Sequence, residues 1–315
     1  MNATKRLQIV LLITALLIPA GICRADITVA LTKGFVKKYK DQATISTKFD
    51  IDKHHDHPNA IGSGSQDGDI HIAGRDSVVK LPMVAEIING AKETSALSEL
   101  LKSTPGQEVP LVGVWRLWFE HPGSEDQVQG ATVATPKNTN PDHIFEFHPI
   151  VKFNDIDVLN SFAPIKNDQA EFTGYPAAKA FDEYEKRPAT ITQSKTAIMI
   201  TSNKAGFNYA DFQMRLAGKP KDVGDGYIVV ANIYDANAKT NDDPVIEDVR
   251  RMIFVKGSQP ADAVKNLSKG DKLHVLGIPR VNLNQVFAIA SGLKGDEEYS
   301  DALPYEIIIV AILKD

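Results

Sequence analysis

The chain has 315 residues, a formal net charge of −5 and a single cysteine, Cys23. A chain of this length can bury a sizeable core and most simply divides into two domains. Its acidic balance argues against a protein that grips phosphate backbones along its whole surface, although it leaves room for a local basic groove.

The first element in chain order is a predicted secretory signal over residues 1–25. Lys5 and Arg6 precede an apolar run at 9–22, which is followed by a small-residue cleavage site. The run is shorter than the about 20 residues that span a bilayer, and its flanks are typical of a removable signal rather than a membrane anchor. We therefore expect a periplasmic or secreted protein without stable membrane insertion. Cleavage removes Cys23 and three basic residues, so the formal charge falls from −5 to −8 and no disulfide can form.

The same pattern of elements occurs twice after the signal. Apolar strands carry G-V-W-R-L from Gly113 and G-I-P-R-V from Gly277. Each is followed by a strand containing Glu146 or Glu306. Each is also preceded by a strand that starts at an Asp-Gly turn, a second strand and a helix-like stretch. These lie at 67–72, 81–88 and 91–102 in the first copy, and at 225–230, 251–256 and 260–267 in the second.

Residues 26–47 and 196–216 are expected to supply the first strand of each copy. The order is then strand, strand, strand, helix, strand, strand, which is the arrangement of the oligonucleotide/oligosaccharide-binding (OB) fold, a five-stranded barrel. We predict an all-β protein with short helices, in which two OB-like barrels each place a helix between strands three and four. The alternative is another β-rich protein whose halves share only a generic strand pattern. The predicted ranges are 26–158 for the first barrel, 159–190 for a linker with a helix, and 191–315 for the second barrel.

Two prolines bound the linker helix, and a third constrains the second barrel. Pro176 opens the helix and Pro188 ends it, and we expect the helix to pack on the second barrel. Pro279 lies within the fourth strand of the second copy. Because proline cannot donate a hydrogen bond to the ladder, that position requires a strand edge or a bulge.

Histidine and carboxylate residues concentrate in the first copy. Asp69 and His71 alternate along one strand, and Glu146 and His148 share a face of the last strand. Carboxylate and imidazole ligands together suit zinc, manganese or another divalent cation. The alternative is a plain turn beside a solvated loop. The second copy has Ile308 in place of His148, so a metal site is expected in the first barrel alone. The candidate metal ligands are Asp69, His71, Glu146 and His148, with His55 or His57 supplied by a loop.

Two arginines recur together with two glutamates, and two tryptophans crowd one strand. Arg116 with Glu146 and Arg280 with Glu306 predict one ion pair per barrel, bridging strands four and five; binding of an acidic ligand is the alternative. An exposed aromatic side chain in this strand could stack on a base or a sugar, whereas a buried one fills the core. The candidate ligand-binding residues are Trp115, Arg116, Trp118 and Arg280.

The first copy resembles a group of uncharacterised exported bacterial proteins that carry D-G-D-x-H and E-L-H-P motifs. The matching segments are D-G-D-I-H at 67–71, M-V-A-E at 83–86 and F-E-F-H-P at 145–149. The resemblance implies an export-associated barrel with an acidic and histidine set. The D-G-D strand is also similar to that of thermonuclease-type nucleases, which implies roles for Arg75 and Glu86. The order of the further acidic residues and the D-x-P-E-like turn of those enzymes are not found.

Common enzyme signatures are missing from the sequence. It has no G-x-S-x-G nucleophile elbow and no G-x-x-x-x-G-K-[ST] phosphate loop. We expect an exported, non-enzymatic binding protein for an oligosaccharide, a single-stranded nucleic acid or a protein. The alternative is a metal-dependent hydrolase of phosphodiester or glycosidic substrates, which uses the Asp/His/Glu set of the first barrel. A third hypothesis is an envelope structural or interaction protein without a small ligand.

Overall fold

The structure is a computed structural model that describes residues 26–62, 66–239 and 242–314. The predicted signal at 1–25 lies outside the described residues. Of the residues in these ranges, 44% lie in strands and 16% in helices. None of the helices in the described ranges combines the length and the apolar character that a bilayer span requires.

The elements of the two halves follow one another in similar order. In the first half they are β1 (Ile27–Thr32), α1 (Lys33–Tyr39), β2 (Thr44–His54), β3 (Ile70–Asp76), β4 (Met83–Ile87), α2 (Thr94–Leu100), β5 (Gln107–His121), β6 (Gln127–Val128), β7 (His143–Phe153) and β8 (Ile156–Asp157). In the second they are β9 (Tyr175–Pro176), α3 (Ala177–Glu185), β10 (Pro188–Gln193), β11 (Ala197–Ser202), β12 (Ala210–Leu216), β13 (Lys221–Asp222), β14 (Gly226–Tyr234), β15 (Arg250–Val255), α4 (Gln259–Val264), β16 (Lys272–Val281), α5 (Leu283–Gly292), β17 (Tyr299–Ala302) and β18 (Tyr305–Ile312).

Both predicted barrels are present, and each closes through the same pairings. In the first, β2 pairs antiparallel with β3 and β5, β3 with β4, and β5 with β7, while a parallel β4–β7 pairing closes the barrel. In the second, β12, β14, β15, β16 and β18 repeat these pairings in the same order. Helices α2 and α4 lie between the third and fourth strands. The prediction of two OB-like five-stranded barrels is therefore confirmed.

A third sheet, which was not predicted, joins the two halves. Its strand order is β17-β10-β11-β1-β6. The expected first strands at 26–47 and 196–216 each contain two strands. Of these, β2 and β12 enter the barrels, whereas β1 and β11 pair with each other antiparallel. Parts of the ranges 26–158 and 191–315, together with the last residues of the range 159–190, therefore contribute to a shared sheet rather than to separate barrels.

The prolines lie where the sequence places them. Helix α3 runs over Ala177–Glu185, and its Phe181 ring packs edge-on against Phe212 of the second barrel, at 5.2 Å between centroids. Pro279 pairs only with β18, because the pairing of β16 with β12 ends at Gly277. A register shift between Leu276 and Gly277 accompanies the change. The expected edge and bulge are therefore both present.

The recurring glycines allow the fifth strand of each barrel to cross close to the fourth strand. A Cβ atom on Gly113 would lie 2.5 Å from the Cβ of Phe147, and one on Gly277 would lie 2.5 Å from the Cγ2 of Ile307. We expect Gly113→Ala and Gly277→Ala each to lower the free energy of unfolding by about 1–3 kcal/mol, because overpacking forces the fifth strand of the barrel to shift. Urea denaturation followed by circular dichroism measures the change. Gly218→Ala, where a Cβ has nothing within 4 Å, is the control; a similar loss there would contradict the explanation.

Candidate metal centre

The two barrels contact each other through the arginines of their fourth strands. Arg116 pairs with Glu146 (Nη1–Oε2, 2.5 Å), and Arg280 pairs with Glu306 (Nε–Oε1, 2.7 Å). The predicted Arg–Glu pair of each barrel is therefore confirmed. Each guanidinium also crosses to the other barrel: Arg116 Nε donates to the carbonyl of Pro279 (3.0 Å), and Arg280 Nη1 donates to that of Trp115 (3.1 Å). Such reciprocity is what a two-fold arrangement of equivalent units produces.

Of the four candidate ligand-binding residues, Trp115, Arg116 and Arg280 lie inside this contact, and Trp118 packs edge-on against Tyr184 of α3, at 5.6 Å between ring centroids. Trp115, Arg116 and Arg280 are 0% exposed and Trp118 is 1% exposed. The guanidinium of Arg280 lies over the Trp115 ring at 3.5 Å, and the Trp115 indole donates to the carbonyl of Gln42. A stacking platform needs an exposed ring and an acidic ligand needs a reachable guanidinium. These residues instead take the alternative role, filling the core and the interface between the barrels.

The Asp-Gly turns make a second reciprocal contact between the barrels. Gly113 and Gly277 are equivalent glycines of the two barrels, and their strand partners are Ile45 and Ala210. The residues that precede these partners, Thr44 and Tyr209, are therefore equivalent as well. Thr44 Oγ1 donates to Asp225 (2.9 Å), and the Tyr209 hydroxyl donates to Asp67 Oδ2 (2.5 Å). The second half of the chain therefore supplies a side chain to the D-G-D turn of the first barrel.

A chain of ionisable side chains crosses the outer face of the first barrel next to that turn. His71 Nε2 contacts Asp69 Oδ2 and lies 3.4 Å from Glu86 Oε1. His148 Nδ1 lies 2.8 Å from Glu86 Oε2 and 3.3 Å from Glu146 Oε2. The side chains of Glu146 and His148 are each 2% exposed, whereas that of His71 is 15% exposed. The His71 end is thus the one that solvent reaches.

Two triads in this chain have the geometry to hold a cation. The ligand atoms of Asp69, His71 and Glu86 lie within 4.8 Å of one another, and so do those of Glu86, Glu146 and His148. The structure thus brings Asp69, His71, Glu146 and His148 together as predicted and adds Glu86, which the candidate ligand set omitted. Its sequence signal was a carboxylate in the otherwise apolar strand β4, and the β3–β4 register places it opposite His71.

The two loop histidines have different environments. The His55 ring stacks on that of His71, at 4.7 Å between centroids, and belongs to neither triad. His57 is exposed, and its Nδ1 lies 3.2 Å from the carbonyl of Pro58. The structure therefore places His55 beside the candidate centre as a packing partner, and it places His57 on the surface. A buried histidine that was not predicted, His143, contacts Glu146 Oε1 at 3.0 Å.

Burial and charge shift the protonation of this cluster. Burial, reinforced by the charge of Asp69, raises the pKa of Asp67 to about 8. Burial alone would lower the pKa of His71, but Glu86 and Asp69 outweigh it and raise that pKa to about 10. The same competition with Glu86 and Glu146 raises the pKa of His148 well above its usual value. Protons thus balance the buried carboxylates here, in positions that a divalent cation can take over.

The second barrel shows what the same positions hold when no polar cluster is built. In the first barrel, Glu86 lies opposite His71 and adjoins His148. In the second barrel, Ile253 takes the place of Glu86: it lies opposite Ile228 and pairs with Ile308. The second barrel therefore closes with isoleucine in place of His71, Glu86 and His148. Because apolar side chains often replace a buried ion network without loss of stability, closing the barrel does not require the polar set of the first.

Comparison with protein-family models and with curated proteins finds no match for this chain. The resemblances to exported D-G-D-x-H proteins and to thermonuclease-type nucleases therefore stay predictions.

Proposed function

We propose that this chain is an exported protein that binds a divalent cation, zinc or manganese, in its first barrel. The observation that carries the proposal is the convergence of Asp69, His71 and Glu86, whose ligand atoms lie within 4.8 Å of one another. Two carboxylates and an imidazole form a ligand set that both ions accept. Export rests on the predicted signal at 1–25.

Burial of the triad favours ion binding over hydrolysis. The side chains of Asp69, Glu86 and His71 are 5%, 7% and 15% exposed. Three protein ligands leave one coordination position open, and a catalytic metal must present that position to substrate. The low exposure of all three side chains restricts the approach of a polymeric substrate to that position. The hypothesis of a phosphodiester or glycosidic hydrolase therefore has less support in this geometry. The hypothesis of an oligosaccharide or single-stranded nucleic acid ligand loses its expected aromatic stacking surface, because Trp115 and Trp118 are buried.

The test is metal retention by the purified full chain. After loading with zinc or manganese and dialysis, we expect elemental analysis to find the ion bound in stoichiometric amount. His71→Ala removes an imidazole ligand and should weaken binding by more than the about 10–100-fold that loss of an outer-shell partner costs. Isothermal titration of the metal-free protein measures the affinities.

Matched controls come from the second barrel. Ile228→Ala changes the position equivalent to His71 and should leave metal affinity at the wild-type value. A wild-type chain without bound ion, or equal affinity in His71→Ala and wild type, would contradict the proposal. Turnover of a model phosphodiester that disappears with the metal would favour the hydrolase instead.

A further inference from the structure

Glu86 belongs to both triads and faces a different imidazole with each oxygen. Its Oε1 lies 3.4 Å from His71 Nε2, and its Oε2 lies 2.8 Å from His148 Nδ1. Asp69 completes the triad on one side and Glu146 completes it on the other. A carboxylate placed in this way has the geometry of a bridging ligand between two ions.

We propose that the first barrel holds a pair of divalent cations bridged by the Glu86 carboxylate. The outer ion takes Asp69, His71 and Glu86, and the inner ion takes Glu86, Glu146 and His148. The pair rests on the proposed function, because the outer ion is the one proposed above. The inner ion is the new site.

Hydrogen bonding around His148 leaves the correct nitrogen for the inner ion. The Tyr209 hydroxyl donates to Asp67 Oδ2 at 2.5 Å, so it accepts from His148 Nε2, which lies 2.9 Å away. In this arrangement Nε2 carries a hydrogen, and Nδ1 is the atom that faces Glu86 and Glu146. A ligating histidine is typically held in this way, through a hydrogen bond from its other ring nitrogen.

Charge in the connected cluster points to two ions rather than one. Contacts join five carboxylates, those of Asp67, Asp69, Glu86, Glu120 and Glu146, with one guanidinium, that of Arg116, and with the imidazoles of His71, His121, His143 and His148. Ligation requires ionised carboxylates and neutral imidazoles, and in that state four negative charges are left over, which is the charge that two divalent cations neutralise. Uncompensated carboxylates are costly to bury.

Unused acceptor capacity remains in the cluster around the inner site. Asp67 is 4% exposed, and its Oδ1 has no hydrogen-bond partner among the described residues. Glu146 Oε2 faces both Arg116 and His148. Because each carboxylate oxygen has two lone-pair directions, Glu146 can accept from Arg116 and still ligate an ion.

The experiment is titration of the metal-free full chain with manganese, read by elemental analysis and electron paramagnetic resonance. We expect about two ions per chain, with the spectrum of a spin-coupled pair, because bridged ions lie about 3.5–4 Å apart. His148→Ala should bind one uncoupled ion. Ile308→Ala, the equivalent change in the second barrel, should keep two coupled ions.

The outcomes separate the two proposals. One uncoupled ion in the wild type, lost in His71→Ala, overturns the pair and keeps the proposed function. An absence of bound ions overturns both proposals. A second ion that survives His148→Ala is adventitious and also overturns the pair. If His148→Ala does not fold, Tyr209→Phe keeps the ring and removes the hydroxyl, and we expect it to weaken the inner ion alone by about 10–100-fold. Unchanged affinity in Tyr209→Phe counts against the inner site.

Discussion

Replacing Arg280 with methionine is expected to lower the free energy of unfolding by about 3–5 kcal/mol, because it breaks a fully buried ion pair. Arg280 and Glu306 are both 0% exposed. The change also removes the donors to the carbonyls of Trp115 (3.1 Å) and Ala43 (3.3 Å) in the other barrel. Guanidinium denaturation followed by circular dichroism measures the loss.

Two further variants identify the cause of that loss. Replacing both partners, as Arg280→Met with Glu306→Leu, should recover part of the stability, because no carboxylate then remains buried beside an apolar group. The recovery is partial because Arg251, whose Nε lies 2.9 Å from Glu306 Oε2, loses that partner and keeps its ion pair with Asp41. Lys256→Met breaks an exposed pair with Asp222 and should leave the free energy of unfolding close to the wild-type value. Equal losses in the Arg280 and Lys256 variants would refute a special role for the buried pair.

Trp115→Ala is the second large expected effect, at about 3–5 kcal/mol of lost stability. The side chain is fully buried, its indole donates to the carbonyl of Gln42 at 2.8 Å, and its ring lies under the Arg280 guanidinium. Truncation therefore leaves a cavity where the two barrels meet. The fall in the denaturation midpoint, at constant m value, reports the change.

The contact between Trp115 and Arg280 makes a coupling test available. Because residues in contact are not additive, the double variant Trp115→Ala with Arg280→Met should lose less stability than the two single changes summed. Trp115→Phe keeps most of the ring volume and should cost less than Trp115→Ala. Full additivity of the two changes would show that the ring and the guanidinium do not interact.

The duplicated barrel could be read from local patterns. Strand alternation, Asp-Gly turns and short helices between strands three and four are set by neighbouring residues, and the structure reproduces them in both copies. The Arg–Glu pairs were predictable for the same reason, since Arg116 and Arg280 lie opposite Glu146 and Glu306 in adjacent strands. Glu86 was missed as a ligand, because its place opposite His71 depends on the β3–β4 register.

By itself, the sequence determined the two five-stranded barrels, the arginine pair in each, and the restriction of the histidine and carboxylate set to the first copy. These features follow from residue type and from short-range periodicity. Only the tertiary structure decided that Trp115 and Trp118 are buried and that Tyr209 closes the cluster around His148. It also decided that β1 pairs with β11. Those contacts join residues far apart in the chain, and an outer barrel face becomes an interior only when the second barrel packs against it.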